Sequence, residues 1–408
     1  MAPESFDVVV AGAGAAGLLA AATAAARGRR TLLLEKNQRP GLKILISGGG
    51  RCNLTTTRSG ADLEAQFGPV RGRFLRHALR AFPPAALREV FEMAGVPLQE
   101  EDLEKVFPVS QQARDVVEAL LALARDAGVE LRTGSPMRGA RWTGSGFEIQ
   151  TGSGSLTAAS LVLATGGLSY PKTGTTGDGY DFCRGFGHTI TKTWPALAPL
   201  AVDAAWVHAL QGIVLHGVAI AALAADGREL QVRNRPILFT HKGLSGPAPM
   251  DLAGDIEEQQ GAGSVRFDFA PGVLREALQA EWLAAAQSQG ARRVESVLPP
   301  HLPERLRATL VQLGGAEGTL AALSRQARLS LLGLTKDLRV AVPRSLGFDH
   351  AEVTRGGTAL DEIDPRTMQS RRQPGLFVCG ELLDIDGPIG GFNFQAAFAT
   401  GRLAGLHS

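Results

Sequence analysis

Three cysteines in 408 residues, Cys52, Cys183 and Cys379, are odd in number and far apart, which argues against a disulfide framework. No C-x-x-C redox pair occurs, which argues against an enzyme of the glutathione- or thioredoxin-reductase type. Neither sign of charge dominates: 42 Lys and Arg against 40 Asp and Glu leave a formal net charge of +2. A whole-protein field for nucleic acid is therefore absent, and any basic surface must be local. No uninterrupted apolar run reaches about 18 residues, so no membrane-spanning helix is expected. The apolar stretch Leu18–Ala26 resembles the core of a secretion signal, but Glu4 and Asp7 stand where a basic segment would be needed. The expected location is the cytoplasm, and no metal is expected. A chain that is 44% apolar and 20% charged remains, globular and long enough for two or three domains.

The most informative stretch is the start. Phe6–Ala11 is a β-branched run that meets Gly12-Ala13-Gly14-Ala15-Ala16-Gly17, followed by an alanine-rich segment. That order reads as strand, tight turn and helix. The first glycine permits the turn, the second lets the backbone approach a pyrophosphate, and the third lets helix and strand pack. Thr31–Leu34 reads as the next parallel strand and ends in Glu35, an acid placed to accept hydrogen bonds from an adenosine ribose. A carboxylate there repels a 2′-phosphate, which favours FAD or NAD over NADP at this site. Lys36 is a further expected cofactor contact.

Three later runs point to the same site. Lys43-Ile44-Leu45-Ile46-Ser47-Gly48-Gly49-Gly50-Arg51-Cys52-Asn53 is a loop able to wrap a rigid ligand. Ser47, Gly49, Gly50, Arg51, Cys52 and Asn53 are its candidate contacts, and Lys43 or Arg51 is placed to neutralise pyrophosphate or reduced flavin. Leu161–Leu163 breaks at Ala164-Thr165-Gly166, as a chain passing beneath a dinucleotide must. Near the end, Leu376–Val378 leads to Gly380-Glu381, Asp384 and Gly391-Phe392-Asn393, then to a small-residue helix. Glu381 is read as a partner for ribityl hydroxyls, and the helix start as a stabiliser of charge on the flavin. Between His188 and about residue 345 the pattern changes to antiparallel strands and then helices.

The runs GAGAAG, LKILISGGGRCNLT, ATGGLSYPKTGTTGDGY, FTHKGLSGPAP and GELLDIDGPIGGFNFQAAFATG, spread along almost the whole chain, resemble the BaiN/RdsA-type family of NAD(P)/FAD-dependent oxidoreductases. The resemblance implies an α/β fold: a discontinuous Rossmann-like FAD-binding domain (1–190 plus 345–408), an inserted β-rich domain (191–262 plus 328–344) and a small helical cap (263–327). It also implies NAD(P)H-driven reduction of a carbon–carbon double bond in a bile-acid-like steroid or a ribosomal RNA uridine. Cys52 is the first candidate proton donor, with a plain packing role as its equal alternative; His241 is the second. Two other readings stay open, a flavin amine oxidase producing hydrogen peroxide and an RNA-binding flavoprotein without turnover. The arginines of 71–80 and 292–344 motivate the latter. No second G-x-G-x-x-G marks a separate nicotinamide domain, so NAD(P)H is expected as a transient reductant.

Overall fold

A computed structural model describes residues 4–408. Two compact units divide the chain, one holding the residues up to Trp194 together with Glu352–Ser408, the other Pro195–Ala351.

The first unit is built on a seven-stranded sheet. Its strands are β1 (Glu4–Ala11), β2 (Thr31–Leu34), β3 (Glu130–Arg132), β4 (Met137–Trp142), β5 (Phe147–Thr151), β6 (Gly154–Leu163) and β7 (Leu376–Val378). The order is β3-β2-β1-β6-β5-β4, and β7 lies alongside the second half of β6. β1, β2, β3, β6 and β7 are mutually parallel, whereas β4 and β5 turn back as an antiparallel extension. Val8, Val9 and Val10 have no exposed surface, because parallel strands are covered on both faces and need apolar side chains on each.

Helix α1 (Ala15–Ala26) follows β1, and α2 (Phe392–His407) closes the chain. They pack almost backbone to backbone: a Cβ on Gly401 would lie 2.3 Å from the Ala16 carbonyl oxygen, and one on Gly405 equally close to that of Ala20. Small residues in both helices thus join the first and last segments of the chain in one core.

The second unit contains two antiparallel sheets. One runs Val214–Leu215, Ile237–Thr240, Gly243–Ser245, Leu200–Ala201, Arg344–Ser345; the other runs Glu229–Arg233, Ala219–Leu223, Ser264–Asp268, Leu338–Ala341. The helices Arg275–Ser288, Glu304–Leu313 and Arg325–Asp337 share one core with these sheets through Trp282, Leu306 and Leu331. Residues 263–327, expected as a cap of their own, begin with an inner strand and contribute to that common core. The physical reason is amphipathicity: a single apolar stripe on each helix is buried here in a core that includes the sheet residues Val265 and Phe267.

Candidate functional site

The glycine turn and the β6 exit are pressed together. Gly12 has φ +103°, and a Cβ on it would lie 2.5 Å from the Ala164 carbonyl oxygen. No L-residue with a side chain fits. Gly14 precedes α1 without any side-chain cap, and a Cβ on it would meet nothing within 4 Å. An uncapped helix start beside open space presents backbone N–H groups to an anion. The nearby Thr165 Oγ1 is buried and without a hydrogen-bond partner.

Glu35, at the end of β2, is 7% exposed and orders the turn. One carboxylate oxygen accepts from the Ala13 N–H (2.9 Å), and the other from the Asn37 backbone N–H and side-chain amide (2.8 Å each). Lys36 is turned to other work, donating to Thr176 Oγ1 (2.7 Å) and pairing with Asp178 (3.0 Å).

The loop Ser47–Asn53 is held by its own backbone. Gly48, Gly49, Gly50 and Cys52 are all left-handed, and the Ser47 carbonyl accepts from the N–H groups of Gly50 and Cys52 (3.0 Å each). Ser47 Oγ donates to the Ile44 carbonyl (2.7 Å), and Asn53 Oδ1 accepts from the Val106 N–H (3.3 Å). Arg51 stacks on Phe107, 4.1 Å from the ring centre, and bonds Glu101 and Gln111. Its charge is spent on the Leu98–Pro108 hairpin.

The tail reaches the short strand Thr55–Thr56 that follows this loop. Gly391 has φ +83°, and a Cβ on it would lie 2.1 Å from the Thr55 carbonyl oxygen. Asn393 clamps Gly387 by accepting from its N–H (2.8 Å) and donating to its carbonyl (2.9 Å). Phe392 is fully buried, edge-on to Phe67. Glu381 carries a salt bridge with Lys43 and accepts from Ser169 Oγ (2.6 Å) and the Thr354 N–H (2.8 Å); Lys43 also bonds Ser169 Oγ (2.5 Å). Asp384 pairs with Arg71 (2.8 Å) and accepts from Thr191 Oγ1 (3.1 Å). Neither Lys43 nor Glu381 stands alone as a ligand group: each compensates the other.

Of the two expected proton donors, Cys52 has no exposed surface, and burial, only partly offset by a hydrogen bond with Ser47, pushes its thiol up to about 12. A group that donates a proton to substrate has to touch it. His241 is an exposed turn residue of the second unit, between Ile237–Thr240 and Gly243–Ser245.

Sequence reasoning passed over Ser169 and Thr354, which link Glu381 to the chain after β6. Their separation in sequence hides the link, although Ser169 lies close behind the Ala164-Thr165-Gly166 turn. It also passed over a buried knot in which His188 bonds Glu362 through Nδ1 (3.1 Å) and Ser370 through Nε2 (2.8 Å). Burial would raise the Glu362 carboxyl, but Arg372, Thr189 and His188 together bring it down to about 2. Burial also lowers the His188 pKa, against the opposing pull of Glu362.

The turn, the uncapped α1 start, the buried and unpartnered Thr165 hydroxyl and the Ser47–Asn53 loop fit a flavin dinucleotide. Comparison with known proteins identifies the family. The model of the HI0933-like protein Rossmann domain matches residues 6–407. The chain is 33% identical over 400 residues to a ribosomal RNA dihydrouridine synthase of Escherichia coli (strain K12), covering 97% of this chain and 96% of that one. It is 29% identical to a 3-dehydro-bile acid delta(4,6)-reductase of Clostridium scindens, covering 97% of each. A solved quinol-fumarate reductase with menaquinol molecules matches the fold with a TM-score of 0.50 at 15% identity, covering 99% of this chain and 71% of that one.

Proposed function

The chain belongs to the HI0933-like Rossmann family and is a flavin-dependent oxidoreductase, and from that premise we propose that it uses NAD(P)H to reduce an activated carbon–carbon double bond, with a ribosomal RNA uridine as substrate. The observation that carries this reading is the 33% identity, end to end, with a relative named for that reaction. A small enone-like substrate is the second reading, favoured by the relative named as a bile acid reductase. The flavin, when bound, supplies hydride to the double bond.

The protein's own residues bind and orient. Backbone N–H groups at the start of α1 hold pyrophosphate, with Gly12 and Gly14 keeping side chains out of its way. Ala15, Ala16 and Gly17 contribute main chain there, Ala13 sets the turn by giving its N–H to Glu35, and Glu35 offers its carboxylate to the ribose. Ala164, Thr165 and Gly166 line the approach, and Thr165 Oγ1 gains the partner it lacks. Ser47, Gly49, Gly50 and Asn53 shape the loop beside the ring system, while Lys43 and Glu381 lock that loop to the tail. Gly391, Phe392 and Asn393 set the start of α2, whose positive end favours an anionic flavin edge, and Gly380 packs on Ala16 of α1 and donates to Thr400 Oγ1 in the middle of α2. Inaccessibility supports packing rather than proton donation for Cys52.

Anaerobic absorbance titration of the holoenzyme with NADH and NADPH tests the proposal. The flavin band should bleach with one of them and return on adding a uridine-containing ribosomal RNA fragment. Return with an enone alone would select the second reading. Bleaching only by an amine, with fast reoxidation in air, would replace both by an amine oxidase.

A further inference from the structure

Several of the basic residues that stand out in the sequence are paired within their own unit. Arg71 holds Asp384, Arg76 and Arg80 both hold Glu64, Arg293 holds Glu295, Lys336 holds Asp268, and Arg339 holds Asp337. Lys242 and Arg344 are among those left unpaired. Both are exposed, and among the described residues neither side chain is in an ion pair or hydrogen bond.

The register of the five-stranded sheet brings them together. Ala201 pairs with Gly243 on one side and with Arg344 on the other. Lys242, one residue before Gly243, and Arg344 therefore leave the sheet at the same end, flanking the chain that continues into Val202 and Asp203. Two strand spacings, about 10 Å, separate their backbones, which both long side chains can span. The Val202 N–H donates to the Lys242 carbonyl (3.1 Å), fixing the base of the loop.

A cleft of about 390 Å³ opens there, lined by Val202, Asp203, His208, Lys242, Arg344 and His350. Its floor is small and aliphatic, with Ala201 and Leu346 completing it. His208 is oriented by its Nε2, 2.5 Å from the Val202 carbonyl oxygen. Two permanent cations and two imidazoles thus face a single carboxylate.

We propose that this cleft is a phosphate-binding site, in which the Arg344 fork and the Lys242 ammonium hold the oxygens of a nucleotide phosphate. Arginine binds two phosphate oxygens in one plane, lysine adds a point charge, and the apolar floor accepts the attached sugar carbons. Asp203 is the one repulsive group. A polynucleotide backbone and a nicotinamide dinucleotide offer the same phosphate chemistry. The proposal concerns the phosphate alone and stands independently of the double-bond reading.

Binding of a fluorescent oligouridylate to the holoenzyme, together with the KM for NADPH and NADH, tests it in wild type, Lys242→Ala, Arg344→Ala and Asp203→Asn. Each cation removal should weaken one of these ligands about tenfold, with thermal unfolding unchanged. If the ligand is the polynucleotide, its salt slope should also fall by about one per cation removed. Asp203→Asn should tighten the same ligand, a gain that misfolding cannot imitate. Loss confined to the oligouridylate assigns the cleft to a polynucleotide, and a raised KM alone assigns it to the dinucleotide. Unchanged values for both ligands in all three variants would overturn the site.

Discussion

The two candidate sites, one in each unit, treat charge in opposite ways. In the first, the charged residues of the motif loops are spent on one another: Lys43 on Glu381, Arg51 on Glu101, Arg71 on Asp384. What the dinucleotide turn leaves open is main chain, at an uncapped helix start beside glycines. In the second, Lys242 and Arg344 stand unpaired at the end of a sheet, and the open groups are side-chain charges. A basic residue inside a glycine-rich motif is therefore no evidence of a ligand contact until its partners are known. Paired charges fix the shape of a loop, whereas unpaired ones are the groups left for an anion.

If shape governs the first unit, its glycines should outweigh its charges. Gly391→Val should have the largest effect, because it combines a left-handed backbone with a clash against Thr55. Backbone strain alone costs about 1–3 kcal/mol. The purified variant should lose its flavin absorbance and melt early; normal flavin content would break the comparison. Glu381→Gln comes next. It weakens the salt bridge to Lys43 and the bonds to Ser169 and Thr354, at a cost of about 1.5–3 kcal/mol read by denaturant unfolding. An effect as large as that of Gly391→Val would mean that Glu381 also bonds the cofactor.

The knot of His188, Glu362 and Ser370 sharpens the comparison through pH. His188 has a folded pKa below its ordinary value of 6.5, so the unfolded chain takes up the proton first. Stability is full above about pH 6.5 and falls as pH drops below it. Glu362, at about 2 when folded against 4.5 ordinarily, adds a second loss as pH falls from 4.5 towards 2. Thermal unfolding followed from pH 7 to 4 should decline less steeply in His188→Asn than in wild type. The smallest effect is expected from Cys52→Ala. If the residue only packs, turnover should stay within about twofold while stability drops by about 1 kcal/mol. Abolished turnover with flavin retained would restore it as the proton donor.

Much of the first unit is legible locally. Phe6–Gly17, Thr31–Glu35 and Leu161–Gly166 show strand, turn and acid in an order that only parallel strands and a dinucleotide turn explain. The roles of Lys43, Arg51 and Glu381 are not legible in the same way. Lys43 and Glu381 lie 338 positions apart, so no pattern along the chain reveals their pairing. The helices after residue 273 show an apolar stripe, but the stripe does not say which surface it covers.

By itself the sequence determined the dinucleotide turn, because glycine spacing and β-branched runs act through backbone sterics within a few residues. It also determined the return of the last segment to the first, through small residues that let α1 and α2 approach closely. Only the tertiary structure decided which charges are satisfied and which remain open. That depends on distance in space, and a charge paired within 3 Å presents a different chemistry from the same residue left to solvent.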